Sequence, residues 1–576
     1  MITVVLTVLS GIVALWLGFW GISKASMETY YCGWTYYFLA LSLILWIFAT
    51  FRAFNNVYGN KISEKGGLLK VASEFFKKHK VAIGCAFALT ILGSLACKPD
   101  FRVLADETNL ISMAQALYEE KDCSNYTSVL YYYHGMKNII SKVTDMRPAF
   151  YPYVVSLLHS ASGYRPENAF VVNIISGFLA LLILYYLVHK KYGRFWGIMA
   201  MVALASFPTY VLCVNSAGFE VFNMLCSLIL FILLIWFIKS PNAVTGEALL
   251  LWLPLLGQTR YESMAAVFCV LPVVFWLLPK ECYKQFSYKL LLWPWLFLPA
   301  AWLRVITCNE SSFQVSDVNN AFSWELFVKN FKQAFPFFFG KDIAYGMVPA
   351  IASLAVAGVI WAAIECFMKK RCRSEKVFWT STLLFYVLHA AIRFAYYWGD
   401  LTYRFTSRLG VIFMPLLVFL AISFLVKFCY FFPIKKAYIA VGMLAIPLWT
   451  WPVAGQNLGI RELNLFREYR SARDCLEAYF PKKDEYILVA DRANLYTPLK
   501  YNAINFDHLR ANLDSVLSNV NCRTYSYMVL LQAINTSSGT PTDECKVPDS
   551  LKLEKVCEFQ VKAGQYIRVS KYIVKS

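Results

Sequence analysis

Long apolar runs separated by short polar connections dominate this chain, and most runs reach the roughly 20 residues that a helix needs to cross a hydrocarbon core. The runs predict helices at about Ile2 to Ile22, Cys32 to Phe51, Val81 to Cys97, Asn168 to Val188, Phe195 to Cys213 and Phe219 to Ile238. A short pair follows at Ala248 to Gly257 and Ser263 to Leu278, then Leu290 to Thr307, Ile343 to Met368, Val377 to Trp398, Leu409 to Tyr430 and Ala437 to Val453, thirteen in all. No ten-residue alternation of the outer-membrane barrel kind is present. The first run is too long and uninterrupted for a signal-peptide core and lacks a small-residue cleavage site, so it reads as a retained helix. After Val453 the pattern changes. Charged helical stretches ("IRELNLFREYRSARDCLEAYF", "DHLRANLDSVLSNV") alternate with strand-like runs ("EYILVA", "YSYMVLLQAI", "EKVCEFQV", "QYIRVSKYIV"), the pattern of a small α/β domain.

Composition agrees with a multi-pass membrane protein: of 576 residues, 58% are hydrophobic and 16% charged, with a mean hydropathy of +0.49. The net charge of +19 would point to nucleic acid in a soluble protein. Here its placement excludes that partner. Lys and Arg gather in every second connection (Arg52 to Lys80, His189 to Arg194, Lys280 to Lys289, Lys369 to Lys376, Lys435 and Lys436), as the positive-inside bias requires of cytoplasmic loops. The short connections between them are nearly free of Lys and Arg, apart from Lys24, Arg404 and Arg408. With the N-terminus inside, the loop Lys98 to Arg147, the loop Cys308 to Asp342 and everything after Val453 fall on the external face. Most of the 16 cysteines lie in apolar runs. Cys475, Cys522, Cys545 and Cys557 fall in the external segment, where disulfides are permitted, and their pairing stays open. The Asn-X-Ser/Thr sites Asn125, Asn309 and Asn535 are external too. No internal repeat is found.

Five stretches could carry chemistry. In "VLADETNLIS" the adjacent acids Asp106 and Glu107 open a helical period (Leu110, Ile111, Ala114, Leu117, Tyr118) expected to lie on the bilayer surface. The ordinary reading is that Asp106 caps this helix. The chemical reading is a general base placed where a lipid-anchored substrate meets one arriving from outside. In "DMRPAFYPYVVSLLHSASGY", Arg147 precedes an apolar stretch too brief to span, expected to be re-entrant or interfacial, and could meet a lipid phosphate or simply anchor at the headgroups. Glu220 sits inside the outer end of an apolar helix, a costly place for a carboxylate. "LGQTRYESM" interrupts the short pair with Arg260, Tyr261 and Glu262, and polar breaks at membrane depth survive only when buried in protein or lining a wet cavity. Internal pairing of Arg260 with Glu262 is the competing role. "IRFAYYWGDLTYRFTSRLGVIFMPLL" offers Arg393 within a helix, then Asp400, Tyr403, Arg404 and Arg408 at an external turn, with guanidinium groups suited to phosphate.

Together these stretches, over about Lys98 to Trp451, resemble the C-type (GT-C) superfamily of membrane glycosyltransferases, in the branch of protein O-mannosyltransferases and lipid A aminoarabinose transferases. The acid motif is matched by Asp106 and Glu107, the basic residue and prolines by "RPAFYPYVVSLL" with Ala149 at the second proline position, and later motifs by "SAGFEVF" and "RLGVIFMPLL". Two helices precede the acid loop that the family pattern lacks, and "RYE" matches it loosely. The resemblance implies a mainly α, polytopic helix bundle of about thirteen helices with a small extramembrane α/β domain. Its parts are three N-terminal helices (1–97), an external loop with amphipathic and interfacial helices (98–167), a transmembrane catalytic core (168–453) and the external domain (454–576). It also implies transfer of a sugar from a polyprenyl-phosphate donor to a glycan, lipid or protein acceptor on the external face, usually with inversion, in a bacterial inner membrane. Asp106 or Glu107 would take the acceptor's proton. Arg147, Arg260, Arg404 and Arg408 would bind the donor phosphate, and Glu220, Tyr261, Glu262 and Tyr403 the substrate. No cofactor is required, and a divalent metal on Asp106 and Glu107 is an open alternative without a further ligand cluster. The rival readings are a secondary transporter, a lipid-linked polysaccharide polymerase or ligase, and a docking domain on a membrane anchor.

Overall fold

The computed structural model describes residues 2–64, 67–132, 137–307, 321–342, 346–368, 373–403, 405–456, 464–522, 524–548, 551–562 and 564–572. Helices in chain order are α1 (Ile2–Phe19), α2 (Lys24–Glu64), α3 (Leu68–Ala96), α4 (Leu104–Glu119), α5 (Phe150–Ser162), α6 (Asn168–Tyr192), α7 (Arg194–Ala205), α8 (Pro208–Val214), α9 (Glu220–Lys239) and α10 (Ala243–Gly257). They continue as α11 (Ala265–Leu277), α12 (Leu298–Thr307), α13 (Trp324–Phe339), α14 (Pro349–Met368), α15 (Arg373–Ala395), α16 (Met414–Phe431), α17 (Lys436–Gln456), α18 (Asn464–Tyr479), α19 (Phe506–Ala511) and α20 (Leu513–Asn521). The strands are β1 (Ser124–Tyr131), β2 (Lys137–Thr144), β3 (Tyr486–Ala490), β4 (Ala503–Ile504), β5 (Tyr527–Asn535), β6 (Leu553–Lys562) and β7 (Gln565–Tyr572). The chain divides into two compact units, one of Met1–Asp100, Met146–Val154 and Phe170–Leu458, the other of Phe101–Asp145, Val155–Ala169 and Gly459–Ser576.

The first unit is a polytopic helix bundle. Among the described residues seven helices are long and apolar enough to cross a membrane, eight if α7 and α8 form one span bent by 79°. Five shorter apolar helices accompany them. Several boundaries differ from the apolar runs, each for a physical reason. The basic stretch after Phe51 is not a loop: α2 runs on to Glu64 and α3 starts at Leu68. At 1.5 Å per residue the 41 residues of α2 extend about 60 Å, twice a hydrocarbon core. Hydropathy locates the edge of the lipid, while the charged extension, lacking proline, keeps its helical hydrogen bonds. The run Phe195 to Cys213 breaks because Pro208 has no N–H and holds Phe207 extended (φ −77°, ψ 118°). The run Leu290 to Thr307 begins as short 3-10 turns at Tyr288–Leu291 and Trp295–Phe297 before α12.

The second unit is built on a seven-stranded sheet in the order β2-β1-β4-β3-β5-β7-β6. Its centre, β4-β3-β5, is parallel, and the flanking pairs are antiparallel. Every residue of β3 is buried, the mark of a strand covered on both faces. The loop after α3 therefore carries two strands that the hydropathy pattern did not announce. Leu130 of β1 shares a core with Ile487, Val489, Ile504, Phe506 and Leu509. The helix expected to lie on the bilayer surface is instead enclosed on most of its circumference: α4 is buried at Leu104, Glu107, Thr108 and every residue from Leu110 to Leu117. Ser112 Oγ accepts a hydrogen bond from Tyr126 N at 2.8 Å, tying α4 to β1. A Cys475–Cys557 disulfide links α18 to β6, while Cys522 and Cys545 are free thiols. The Asn125 side chain is buried and bonded to Asp145, which removes it as a glycan acceptor in the folded chain. Asn309 lies outside the described residues.

Candidate active site

In the first unit four distant segments bring charged side chains together. The segment 215–219 comes first. Asn173 Nδ2 donates to the carbonyls of Ser216 and Gly218, and Asn215 Nδ2 to Val211 O at 2.9 Å, holding the turn after which α9 begins at Glu220. The break between α10 and α11 comes next. Its Gln258 and Thr259 are buried, and its backbone and hydroxyl groups find partners within the protein: Thr259 Oγ1 and Ser263 Oγ both donate to Asn223 Oδ1, at 2.5 and 2.7 Å, and Gln258 O accepts from Phe150 N at 3.1 Å, while Gln258 Nε2 has no partner among the described residues. This is the condition under which backbone can leave the helix at membrane depth. It presents Arg260 and Glu262. α15 contributes His389 and Arg393, one turn apart on one face. A 3-10 segment, Ser407–Phe413, contributes Arg408, whose Nε donates to Phe405 O at 3.0 Å.

These residues form one network. Arg408 Nη1 lies 3.0 Å and Arg260 Nη1 3.6 Å from Glu220 Oε1. Arg260 Nη2 donates to Glu262 Oε1 at 3.2 Å, and Arg393 Nη1 lies 3.8 Å from the same oxygen. Three guanidinium groups thus face two carboxylates, with His389 buried beside them. The contacts are ion pairs by distance, yet hydrogen bonding is incomplete. Arg260 Nη1, Arg393 Nε, His389 Nδ1 and Glu220 Oε1 are buried without a hydrogen-bond partner among the described residues. Unmet donors in a low-dielectric setting are strong attractors for an anion. The space within the network is about 10 Å³, room for about one water, so no phosphate fits between the side chains as they stand.

A larger space adjoins the same break. A cavity of about 770 Å³ is walled by apolar side chains of α1 and α11 and by residues between Leu290 and Leu303, and it is lined also by Pro148, Gln258, Tyr261 and Arg304. One wall is α1, the first of the three helices that precede the acid loop. Tyr261 Oη donates to Met146 O, so the residue after Arg260 fixes the one before Arg147. Arg147 is half-buried there.

Of the residues singled out from sequence, Glu220, Arg260, Glu262, Arg393 and Arg408 converge in the network, and Tyr261 lines the cavity. Tyr403 does not join them: it is 46% exposed and packs on Trp398 and Phe405. Arg404 lies outside the described residues. Asn223, His389 and Arg304 escaped the reading. The first two carry a retrospective signal, lying three residues after Glu220 and four before Arg393 on apolar helices; Arg304 carries none beyond being a cation near a helix end.

Asp106 and Glu107 belong to the second unit and differ in their surroundings. Glu107 is buried, and its Oε1 accepts from the backbone N–H groups of Arg102 and Val103 at 3.0 and 2.9 Å. Capping of α4 thus falls to Glu107, since the residue at the cap itself, Val103, has no side chain able to do it. Asp106 is half-buried on the accessible face that it shares with Ala105 and Asn109. Among the described residues no group of three or more His, Cys, Asp and Glu side chains is arranged to hold a metal ion. Glu107, engaged with its own backbone, is a poor partner for Asp106 in such a site.

No protein-family model and no curated protein matches the chain. Solved structures do. ArnT from Cupriavidus metallidurans bound to undecaprenyl phosphate aligns at 10% identity over 86% of this chain and 98% of its own, with a TM-score of 0.49. The apo form of that protein aligns at 12% identity over 87% and 98%, with a TM-score of 0.47. The Archaeoglobus fulgidus oligosaccharyltransferase in complex with zinc and sulfate aligns at 12% identity over 78% and 68%, with a TM-score of 0.43. Likeness at this level assigns no residue a role.

Proposed function

We propose that this chain is a membrane glycosyltransferase that moves a sugar from a polyprenyl-phosphate-linked donor to a lipid, glycan or protein acceptor on the external face. The observation that carries this reading is the 770 Å³ apolar cavity, lined at its polar part by Gln258, Tyr261 and Arg304, directly beside Arg260 in the chain. An isoprenoid tail suits the apolar walls, and its phosphate would meet Arg260 and Arg147. Glu220 and Glu262 hold Arg260, Arg393 and Arg408 in a water-poor setting, where fixed cations stabilise a developing anion more than they would in water.

In the reaction an acceptor O–H or N–H attacks the anomeric carbon. The new bond forms as the carbon–oxygen bond to phosphate breaks, and the carrier phosphate leaves with the electron pair. The acceptor's proton passes to a carboxylate. Asp106 is assigned this role, because Glu107 is committed to the α4 backbone. The proton thus goes to a carboxylate, and the arginines stabilise the negative charge of the departing phosphate.

The test is glycosyl transfer by purified protein in proteoliposomes, with polyprenyl-phosphate sugar as donor and product mass as readout. Asp106→Asn is expected to slow transfer by about 10²–10⁴-fold while the helical content stays unchanged. Undiminished transfer by folded Asp106→Asn would remove that residue from the mechanism. Movement of a solute without any glycosyl product would favour a transporter instead.

A further inference from the structure

The opposite ends of α9 and α15 carry a second concentration of charge. α9 starts at Glu220 and ends at Lys239; α15 starts at Arg373 and reaches Arg393 near its end. Each helix therefore spans about 30 Å between the charged network and the Lys- and Arg-rich face, the thickness of a hydrocarbon core. At that face a cavity of about 410 Å³ opens between α6, α9, α15 and α16. Its walls are apolar, with Leu228, Phe231, Phe378 and Leu416 among them, and its rim carries Lys190, Lys191 and Lys239. All three lysines are exposed. Glu375 is the one carboxylate on the rim and lies 2.9 Å from Lys191 Nζ, while Lys190 and Lys239 have no carboxylate within ion-pair reach among the described residues. Ile238 and Ser374 also line an adjoining cavity of about 540 Å³ whose edge bears Arg373. Four cations thus face one carboxylate.

The interior gives a second indication. Thr382 lines the 410 Å³ cavity, is 4% exposed, and its Oγ1 has no hydrogen-bond partner among the described residues. A buried hydroxyl left unpaired is costly unless something polar reaches it. We propose that this cavity binds one anionic phospholipid of the bilayer, its acyl chain between α9, α15 and α16, its ester group towards Thr382 and its phosphate under Lys190, Lys191 and Lys239. Charge selects the occupant. A zwitterionic lipid would bring its own ammonium into a rim that already carries excess positive charge, whereas a singly anionic headgroup offsets part of that excess. Basic pockets between transmembrane helices at the lysine-rich side recognise lipid headgroups on this principle. The site shares no lining residue with the 770 Å³ cavity or the Glu220–Arg408 network. It would make the packing of α9 and α15, and through them the placement of Glu220 and Arg393, dependent on the surrounding lipid.

The experiment is native mass spectrometry of delipidated full-length protein mixed with equal amounts of phosphatidylglycerol and phosphatidylcholine of matched chains. The first bound lipid is expected to be phosphatidylglycerol by about tenfold or more. In a K190Q/K191Q/K239Q variant the preference is expected to fall to within about twofold, while Arg260→Gln, in the other charge cluster, keeps it. Soluble glycerol 3-phosphate is expected not to displace the lipid, because the acyl groove supplies part of the affinity. Equal binding of the two lipids by the wild type, survival of the preference in the lysine variant, or its loss in Arg260→Gln would each overturn the assignment.

Discussion

Glu220 shows how much rests on one side chain in this protein. Its Oε1 lies within ion-pair distance of both Arg260 and Arg408. Removing one member of a buried charge network leaves the others uncompensated, which costs about 3–5 kcal/mol. Glu220→Gln is therefore expected to lower thermal stability by that order, and polyprenyl phosphate is expected to stabilise the variant more than the wild type, because the arginines then lack a counter-ion. A smaller thermal shift with the lipid phosphate than in the wild type would argue for a purely structural network. His159 offers a pH signature in the second unit. The ring is buried, accepts one hydrogen bond at Nδ1 from Asn168 Nδ2 (2.9 Å), and leaves Nε2 without a partner among the described residues. Burial pulls its pKa down to about 4. Since the unfolded value is near 6.5, protonation favours the unfolded chain. The contribution is whole above about pH 6.5 and is lost as the pH falls towards 4, up to about 3 kcal/mol. Unfolding of this unit measured at pH 7.5 and 4.5 is expected to show that loss, and His159→Gln to flatten it.

At the level of elements, the candidate site depends on segments that stop being helix. Pro208, the turn 215–219 and the break at Gln258 to Arg260 each end a helix inside the protein, and the 3-10 segment Ser407–Phe413 leads into α16. Asn223 is the pin between two of them, accepting hydrogen bonds from Thr259 and Ser263. Asn223→Ala is expected to leave the Ser263 hydroxyl buried and unpaired, costing about 1–3 kcal/mol, while Thr259 Oγ1 keeps its bond to Leu256 O at 2.6 Å, and to reduce transfer without reducing binding of an apolar lipid tail. Accelerated hydrogen exchange at 257–264 would report it. Part of this was legible beforehand: "LGQTRYESM" cannot sit in lipid as bare backbone, so a polar break buried in protein followed from its composition alone. The strands β1 and β2 were not legible. β1 is buried on both faces and so lacks alternation, while β2 is half-exposed and carries five polar residues. Neither resembles a strand until its partners are known. α4 misled for the converse reason, since its apolar positions recur at helical spacing but its polar ones, Glu107, Thr108, Ser112 and Gln115, are buried as well.

For the whole molecule, two compact units are made from an interleaved chain, and the second closes over residues more than 300 apart in sequence, as in the pairing of Val129 with Ala503. The Cys475–Cys557 bond closes a further separation of 82 residues within it. A loop of that length lowers the entropy of the unfolded chain by an amount equivalent to about 4 kcal/mol at room temperature. Reduction, or Cys475→Ser, is expected to raise hydrogen exchange in α18, β6 and β7 and to leave the exchange of α9 and α15 unchanged. What the amino-acid order determined by itself is the solvent and the orientation code: apolar run lengths demand a bilayer, lysine-rich connections mark one face, and the change of pattern after Val453 announces an α/β domain. These depend on local composition and on transfer free energies that hold wherever a segment lands. Only the tertiary structure decided that Glu220, Arg260, Glu262, Arg393 and Arg408 would meet, that Glu107 would cap α4, and that an apolar cavity would open beside Tyr261. Those outcomes depend on distances between residues tens to hundreds of positions apart, which packing sets and periodicity does not record.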